Sequence, residues 1–228
     1  LGKFKNAEQF SAQAVRIFNS NNFKDTAAGA IAYLALTEAA VGNYTAARQQ
    51  AAASLALSRT RVNLLPVALA LALADDASAA RKMIDALRSS YPADFQVNGV
   101  FIPSAEALLQ SSHGNTVAAL QALEPATRYE MAPAFGCLPV YVRGLTHLRA
   151  HQGKDAAAEF QRILDRRAIG AVQPLYALSH VGLARAYSLS GDKAKARTAY
   201  QDFFALWKDA DPDVPILLAA KSEYAKLQ

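Results

Sequence analysis

The chain has 228 residues, 52% of them hydrophobic, and its 24 basic and 19 acidic side chains leave a net charge of +5. That much apolar material supports a sizeable core and excludes a disordered polypeptide, while the single cysteine, Cys137, excludes an internal disulfide framework and any cysteine-based zinc cluster. The charges are scattered, with no run longer than pairs such as Arg81-Lys82 and Arg166-Arg167, and apolar runs such as Leu64 to Ala74 fall short of the ~20 residues that cross a bilayer, so neither nucleic acid nor membrane is an expected partner.

Ala and Leu dominate, β-branched residues are sparse, and Gly and Pro fall between apolar stretches, which predicts helix throughout. In chain order, Ala7 with Gly2 in the turn before it reads as the second helix of a partial leading repeat over 1–24. A repeat over 25–60 pairs Ala35 with Ala47 across a turn at Gly42-Asn43. The next, over 61–94, pairs Ala68 with Ala80 across Asp75-Asp76 and opens at Pro66. A divergent repeat over 95–127 opens at Pro103 and pairs Ala107 with Ala119 across Gly114-Asn115, although Glu106 and Gln110 stand at slots that favour apolar residues. The stretch from Glu124 to Leu138, with Pro125, Pro133 and Gly136, lacks a helical period and reads as a loop. A repeat over 128–170 follows it, opening at Pro139 and pairing Gly144 with Ala156 across Gly153-Lys154. The repeat over 171–211 opens at Pro174 and pairs Ala184 with Ala196 across Gly191-Asp192. Last, Asp213-Val214-Pro215 starts a capping helix in 212–228 whose Ile216, Leu217, Ala220, Tyr224 and Leu227 share one face. About twelve helices result, in a single all-α domain.

The physical content of the pattern is its spacing. A small residue is followed twelve positions later by Ala, and four further on by Ala51, Ile84, Leu123, Phe160 or Tyr200. Two antiparallel helices come as close as roughly 8 Å only where both present small side chains, and the Gly, Asn or Asp between them supplies the turn.

Spaced in this way, His180, Leu183, Ala184, Tyr187, Ala196 and Tyr200 resemble the tetratricopeptide repeat, with His180 standing where that family usually has Trp. The resemblance implies a right-handed superhelical solenoid of antiparallel helix pairs whose first helices line a concave, protein-binding face. The segments YVRGLTHLRAHQGKDAAAEFQRIL and LARAYSLSGDKAKARTAYQDFFALWKDADPD are similar to the C-terminal arrays of large bacterial eukaryotic-type serine/threonine protein kinases and related signalling proteins. That likeness implies a regulatory or sensory module of a larger protein, in the cytoplasm or outside it if the parent crosses a membrane. The opening Leu1 reads as the start of a processed or excised piece. No Gly-rich phosphate loop, H-R-D or D-F-G is present, so kinase activity is not carried over.

Chemistry is sparse. His147 and His151 have metal-ligand spacing, but Leu148 stands where the metalloprotease pattern needs Glu, and they read as a packed and a turn-proximal histidine. Cys137 reads as a partly buried thiol, and Asp209, Asp211 and Asp213 as helix caps. No catalytic, cofactor or metal residue is assigned, and the chain is expected not to be an enzyme. By resemblance, the positions one after and three before the first small residue face the groove. The later position is Leu36, Leu69, Leu108, Leu145 and Arg185, and the earlier one Ala32, Leu65, Ser104, Tyr141 and Val181. From these, with Arg149, the candidate peptide-binding residues are Leu36, Leu69, Leu108, Tyr141, Leu145, Arg149, Val181 and Arg185. This lining suits an apolar protein segment or amphipathic helix bearing an acidic anchor. Self-association into a homo-oligomer, or packing on the chain's own parent protein, is the alternative; a helical-repeat nucleic-acid binder ranks below both, because the equivalent positions are mostly Ala and Leu.

Overall fold

The computed structural model describes residues 2–132, 136–166 and 174–228, with the side chain of Asn19 excepted. Pro133, Arg167 and the expected repeat boundary at 170/171 lie outside the described residues. Among the described residues there are twelve α-helices and no strand. They are α1 (Phe4–Ser20), α2 (Lys24–Ala40), α3 (Tyr44–Leu57), α4 (Arg61–Leu73), α5 (Ala77–Ser90), α6 (Ile102–Ser112), α7 (Thr116–Leu123), α8 (Leu138–Arg149), α9 (Gly153–Leu164), α10 (Pro174–Leu189), α11 (Lys193–Leu206) and α12 (Pro215–Ala225). A π-helical turn, Val97–Phe101, leads into α6, and a 3-10 helix, Glu124–Tyr129, follows α7.

One turn is used six times. Asn22, Gly42, Asp75, Gly114, His151 and Gly191 adopt φ between 56° and 90°, and the residue after each donates its N–H back to a carbonyl five positions earlier at 2.8 to 2.9 Å. This left-handed close satisfies the orphan carbonyls of one helix while reversing the chain into the next. Asp76 and Asp192 then accept the N–H of Ala79 and Lys195 at 3.1 Å, capping α5 and α11.

Two expectations about helix ends are corrected. The turn placed at Gly153-Lys154 is at His151-Gln152, and Gly153 is the first residue of α9. A Cβ on Gly153 would stand 2.7 Å from the Ala186 carbonyl oxygen, so glycine is required there by the approach of α10 and not by the turn. Pro66 does not open its helix: α4 starts five residues earlier, at Arg61. The added turn is held by the fully buried Asn63, whose Oδ1 accepts the Thr60 N–H at 2.9 Å while Nδ2 donates to the Ser58 carbonyl at 2.7 Å.

Each helix packs on its neighbours in sequence, and α2 on α4, α4 on α6, α6 on α8 and α8 on α10 pack as second neighbours. All ten members of the five small-residue pairs are buried at these crossings, as are Ala51, Ile84, Leu123, Phe160 and Tyr200. Ala7 is the exception, exposed on α1. The stretch after α7 is not an open loop throughout: Ala126, Met131 and Cys137 are buried. Its Glu130 is held between Arg143 on α8 and Arg162 on α9, and both arginines also bond Glu159, at 3.2 and 2.8 Å.

The two ends of the chain meet. The Asp211 N–H donates to the Gly2 carbonyl at 3.0 Å, Asp211 Oδ2 accepts the Lys5 N–H at 2.8 Å near the start of α1, and Lys5 pairs with Asp213 at 3.0 Å. Phe4 packs on Trp207, with ring centroids 6.1 Å apart. Farther along, the Ile216 N–H at the start of α12 donates to the Val41 carbonyl in the α2–α3 turn at 3.0 Å, and Val41 belongs to the same apolar cluster as Val214 and Leu217. The path of helices therefore closes on itself. Asp211 and Asp213 act in this seam, where Asp211 caps α1 and not a helix of its own neighbourhood.

Candidate functional site

Where the α2–α3 turn meets α12 lies an open pocket of about 750 Å3 with walls from α2, the α2–α3 turn, the start of α3, α4, α8, α10, α11 and α12. A second, smaller hollow of about 290 Å3 adjoins it, sharing Ala40, Leu73 and Tyr141. The smaller compartment has no charged residue in its lining, whereas the larger one carries Arg149, Arg185, Lys226 and Glu223.

Seven of the eight residues expected to face a groove line one of these compartments. Leu36, Leu69 and Leu108, one residue after the small residue in α2, α4 and α6, converge on the apolar compartment. Leu145, Arg149 and Arg185 line the charged one, and Tyr141 borders both. Val181 lines neither and is buried in the core of the C-terminal half. Leu69 and Leu108 are only 1% exposed, so they form the floor beneath side chains such as Tyr33, which is 60% exposed.

Arg185 is not a free cation. Its Nε and Nη2 donate to Glu223 Oε2 and Oε1 of α12, both at 2.9 Å, and the Tyr200 hydroxyl donates to Glu223 at 2.5 Å. Burial by itself pushes the Glu223 carboxyl up, but the bonds from Arg185 and Tyr200 outweigh it and hold its pKa below the usual carboxylate range. Burial and the adjoining Glu223 push the Tyr200 phenol up. Spacing gives no sign of Glu223, because α12 reaches α10 only through the fold.

Arg149 differs. It extends from the end of α8 toward α6, where Nη1 donates to Ser111 Oγ at 2.6 Å and to the Leu108 carbonyl at 3.4 Å. No carboxylate of the described residues lies within ion-pair distance of it. Burial lowers its pKa, against the attraction of Tyr44, Asp75 and Tyr141. The Tyr141 ring packs edge-on against Phe160, centroids 5.7 Å apart, and its hydroxyl makes no hydrogen bond among the described residues. Burial pushes that phenol up to about 12, although Arg185 and Arg149 pull the other way.

The residues weighed for chemistry are structural. A ring nitrogen of His147 meets Gln152 Oε1 at 2.7 Å, and His151 is the left-handed turn residue. Cys137 is wholly buried, not partly, with Sγ 3.7 Å from Met131 Sδ, and burial pushes its thiol up, away from the reactive thiolate. Among the described residues no group of His, Cys, Asp and Glu is arranged to hold a metal ion, and no helix is long and apolar enough to cross a membrane. No protein-family model, curated protein or solved structure matches this chain.

Proposed function

We propose that this chain is a non-catalytic protein-interaction scaffold, a solenoid of the tetratricopeptide kind serving as a regulatory or sensory module of a larger signalling protein. The observation that carries the reading is the convergence of Leu36, Leu69 and Leu108, from three successive first helices, on one apolar compartment rimmed by Tyr33, Phe101 and Leu175. Repeat arrays bind through such equivalent positions, and an apolar side chain of a partner polypeptide inserted there gains about 25 cal/mol for each Å2 removed from water. Capture of partners by the purified chain, compared with Leu36→Asp at the half-buried rim, tests it. Proteins retained by the wild type and lost from a folded variant support the reading. Equal capture by both moves the site elsewhere.

Self-association is the second reading, favoured by α1. Phe10 and Ile17 are 69% and 52% exposed on the flank that carries the exposed Ala7. In every other pair the corresponding alanine is covered by a helix. Light scattering of the wild type beside Phe10→Asp/Ile17→Asp distinguishes the two: a dimer that the double variant dissociates favours self-association.

A further inference from the structure

Three hydrogen-bond donors converge on the larger compartment. Arg149 and Tyr141 both line it, and among the described residues no protein acceptor meets Arg149 Nε or Nη2 or the Tyr141 hydroxyl. Arg185 stands close enough to Tyr141 to affect its phenol, yet is neutralised by Glu223. With Lys226, the lining carries three cations and one anion, a net charge of +2. The remaining wall is largely apolar, with Leu73, Leu145 and Leu148 beside the donors and Ile216 and Leu227 across from them. A guanidinium fork free at Nε and Nη2 and a phenolic donor beside apolar side chains match an anionic head group, best a planar carboxylate that accepts two N–H bonds side by side.

The occupant is limited by the size of the pocket and by its wall where the α2–α3 turn meets α12, with the Val41 carbonyl accepting the Ile216 N–H. A volume of about 750 Å3 falls in the usual range of roughly 300 to 1,000 Å3 for small-molecule sites. From these observations we infer that the larger compartment is a receptor for a small amphiphilic carboxylate, an apolar chain or ring system bearing one anionic head. The head sits between Arg149 and Tyr141, and the apolar body lies along Leu145 and Leu148 toward α12. Such a ligand makes differential contact with α12, so its binding couples to the docking of that helix. The site adjoins the apolar compartment proposed for a protein partner and shares Ala40, Leu73 and Tyr141 with it, but Leu36, where that reading is tested, does not line it.

Calorimetric titration of the full chain with decanoate and with decanol, both below micellar concentrations, tests the inference. The expected result is saturable binding of one decanoate per chain, at least about tenfold tighter than decanol. Arg149→Gln and Tyr141→Phe, the latter keeping the ring against Phe160, are each expected to reduce that preference about tenfold while far-ultraviolet circular dichroism stays unchanged. Equal affinity for decanoate and decanol overturns the anion receptor while leaving an apolar site standing. Binding of neither overturns the site as a ligand cavity, without touching the protein-partner reading tested at Leu36. A decanoate preference that survives both folded variants also overturns it. A hydrophobic peptide bound more tightly than decanoate, and displaced by it, shows the occupant to be a polypeptide and overturns the small-molecule assignment.

Discussion

The two halves of the molecule solve one packing problem with different side chains. Among the described residues, the core running from α2 to α8 contains no fully buried aromatic residue and is built from Ala, Leu, Val, Ile and Met. The core from α8 to α12 is built around Tyr141, Phe160, Tyr200, Phe203 and Trp207. At the slot four residues past the second-helix alanine, the first half has Ala51, Ile84 and Leu123 where the second has Phe160 and Tyr200. Helices cannot separate freely to admit the larger rings, so the room is taken from their neighbours. A Cβ on Gly144 would come within 2.8 Å of the Phe160 ring, and one on Gly182 within 2.6 Å. Phe160 thus fits only because α8 and α10 each offer a glycine, and the two glycines and the ring are one unit of constant volume.

The largest effect expected from breaking this contrast is that of Phe160→Ala. It leaves a cavity between α8, α9 and α10 and is expected to cost about 3 to 5 kcal/mol in chemical denaturation, above the loss of apolar area alone. A cost below that of Leu123→Ala would show that the ring is not central to its half. Next is Gly182→Ala, which drives a methyl into an aromatic ring that cannot yield. It should cost about 1 to 3 kcal/mol, and most of the loss should return in Gly182→Ala/Phe160→Leu, which remakes the packing style of the first half. Additive costs in the double variant would refute the shared volume.

Smaller is the effect of Arg185→Glu, which sets two carboxylates face to face and should loosen α12 at a cost of about 1 to 2 kcal/mol, moderated because both side chains are one-third exposed. The same contact has a pH signature. Since the Glu223 pKa is depressed in the folded chain, its contribution is present above the unfolded carboxyl value of about 4.3 and is lost as pH falls through the folded value. Fluorescence of Trp207, on the loop leading to α12, reports the release. Smallest is Glu38→Gln in the first half. Glu38 is 1% exposed with Oε1 unpartnered, and its pKa is raised, chiefly by burial. Its stabilising state is the protonated one, held below the unfolded value and lost as pH rises through the folded one. The glutamine variant should be more stable than the wild type by up to about 1 kcal/mol at pH 7, with the difference vanishing near pH 4. A gain that persists at pH 4 would mean that ionisation is not its source.

The small-residue crossings were legible in the sequence because they depend on contacts between helices adjacent in the chain, where spacing translates directly into position. Even there, residue type misled where spacing did not. The left-handed residue stands five before the second-helix alanine at Gly2, Gly42, Asp75, Gly114, His151 and Gly191, yet a nearby glycine drew the turn to Gly153. Histidine in a left-handed turn is uncommon, and composition gives no warning of it. Pro66 misled similarly, since the buried Asn63 adds a helical turn ahead of it. Of the groove residues, the leucines followed from the resemblance to the tetratricopeptide repeat, applied at the position after each small residue. The neutralisation of Arg185 did not, because Glu223 lies 38 residues away on a helix whose docking only the closed fold provides.

The seam gives the molecule a geometric constraint that a linear array lacks. In an open stack, a small error in one crossing angle tilts everything beyond it and is tolerated, because nothing fixes the far end. Here Lys5 and Asp211, 206 residues apart, must arrive within hydrogen-bond distance, so the rotations accumulated along the chain have to sum to one closed circuit. Angular error cannot be shed at a free end and is shared among all the crossings or concentrated at the weakest joint. A side chain buried at Phe160, far from either terminus in sequence, therefore helps set whether α1 and the segment before α12 come into register.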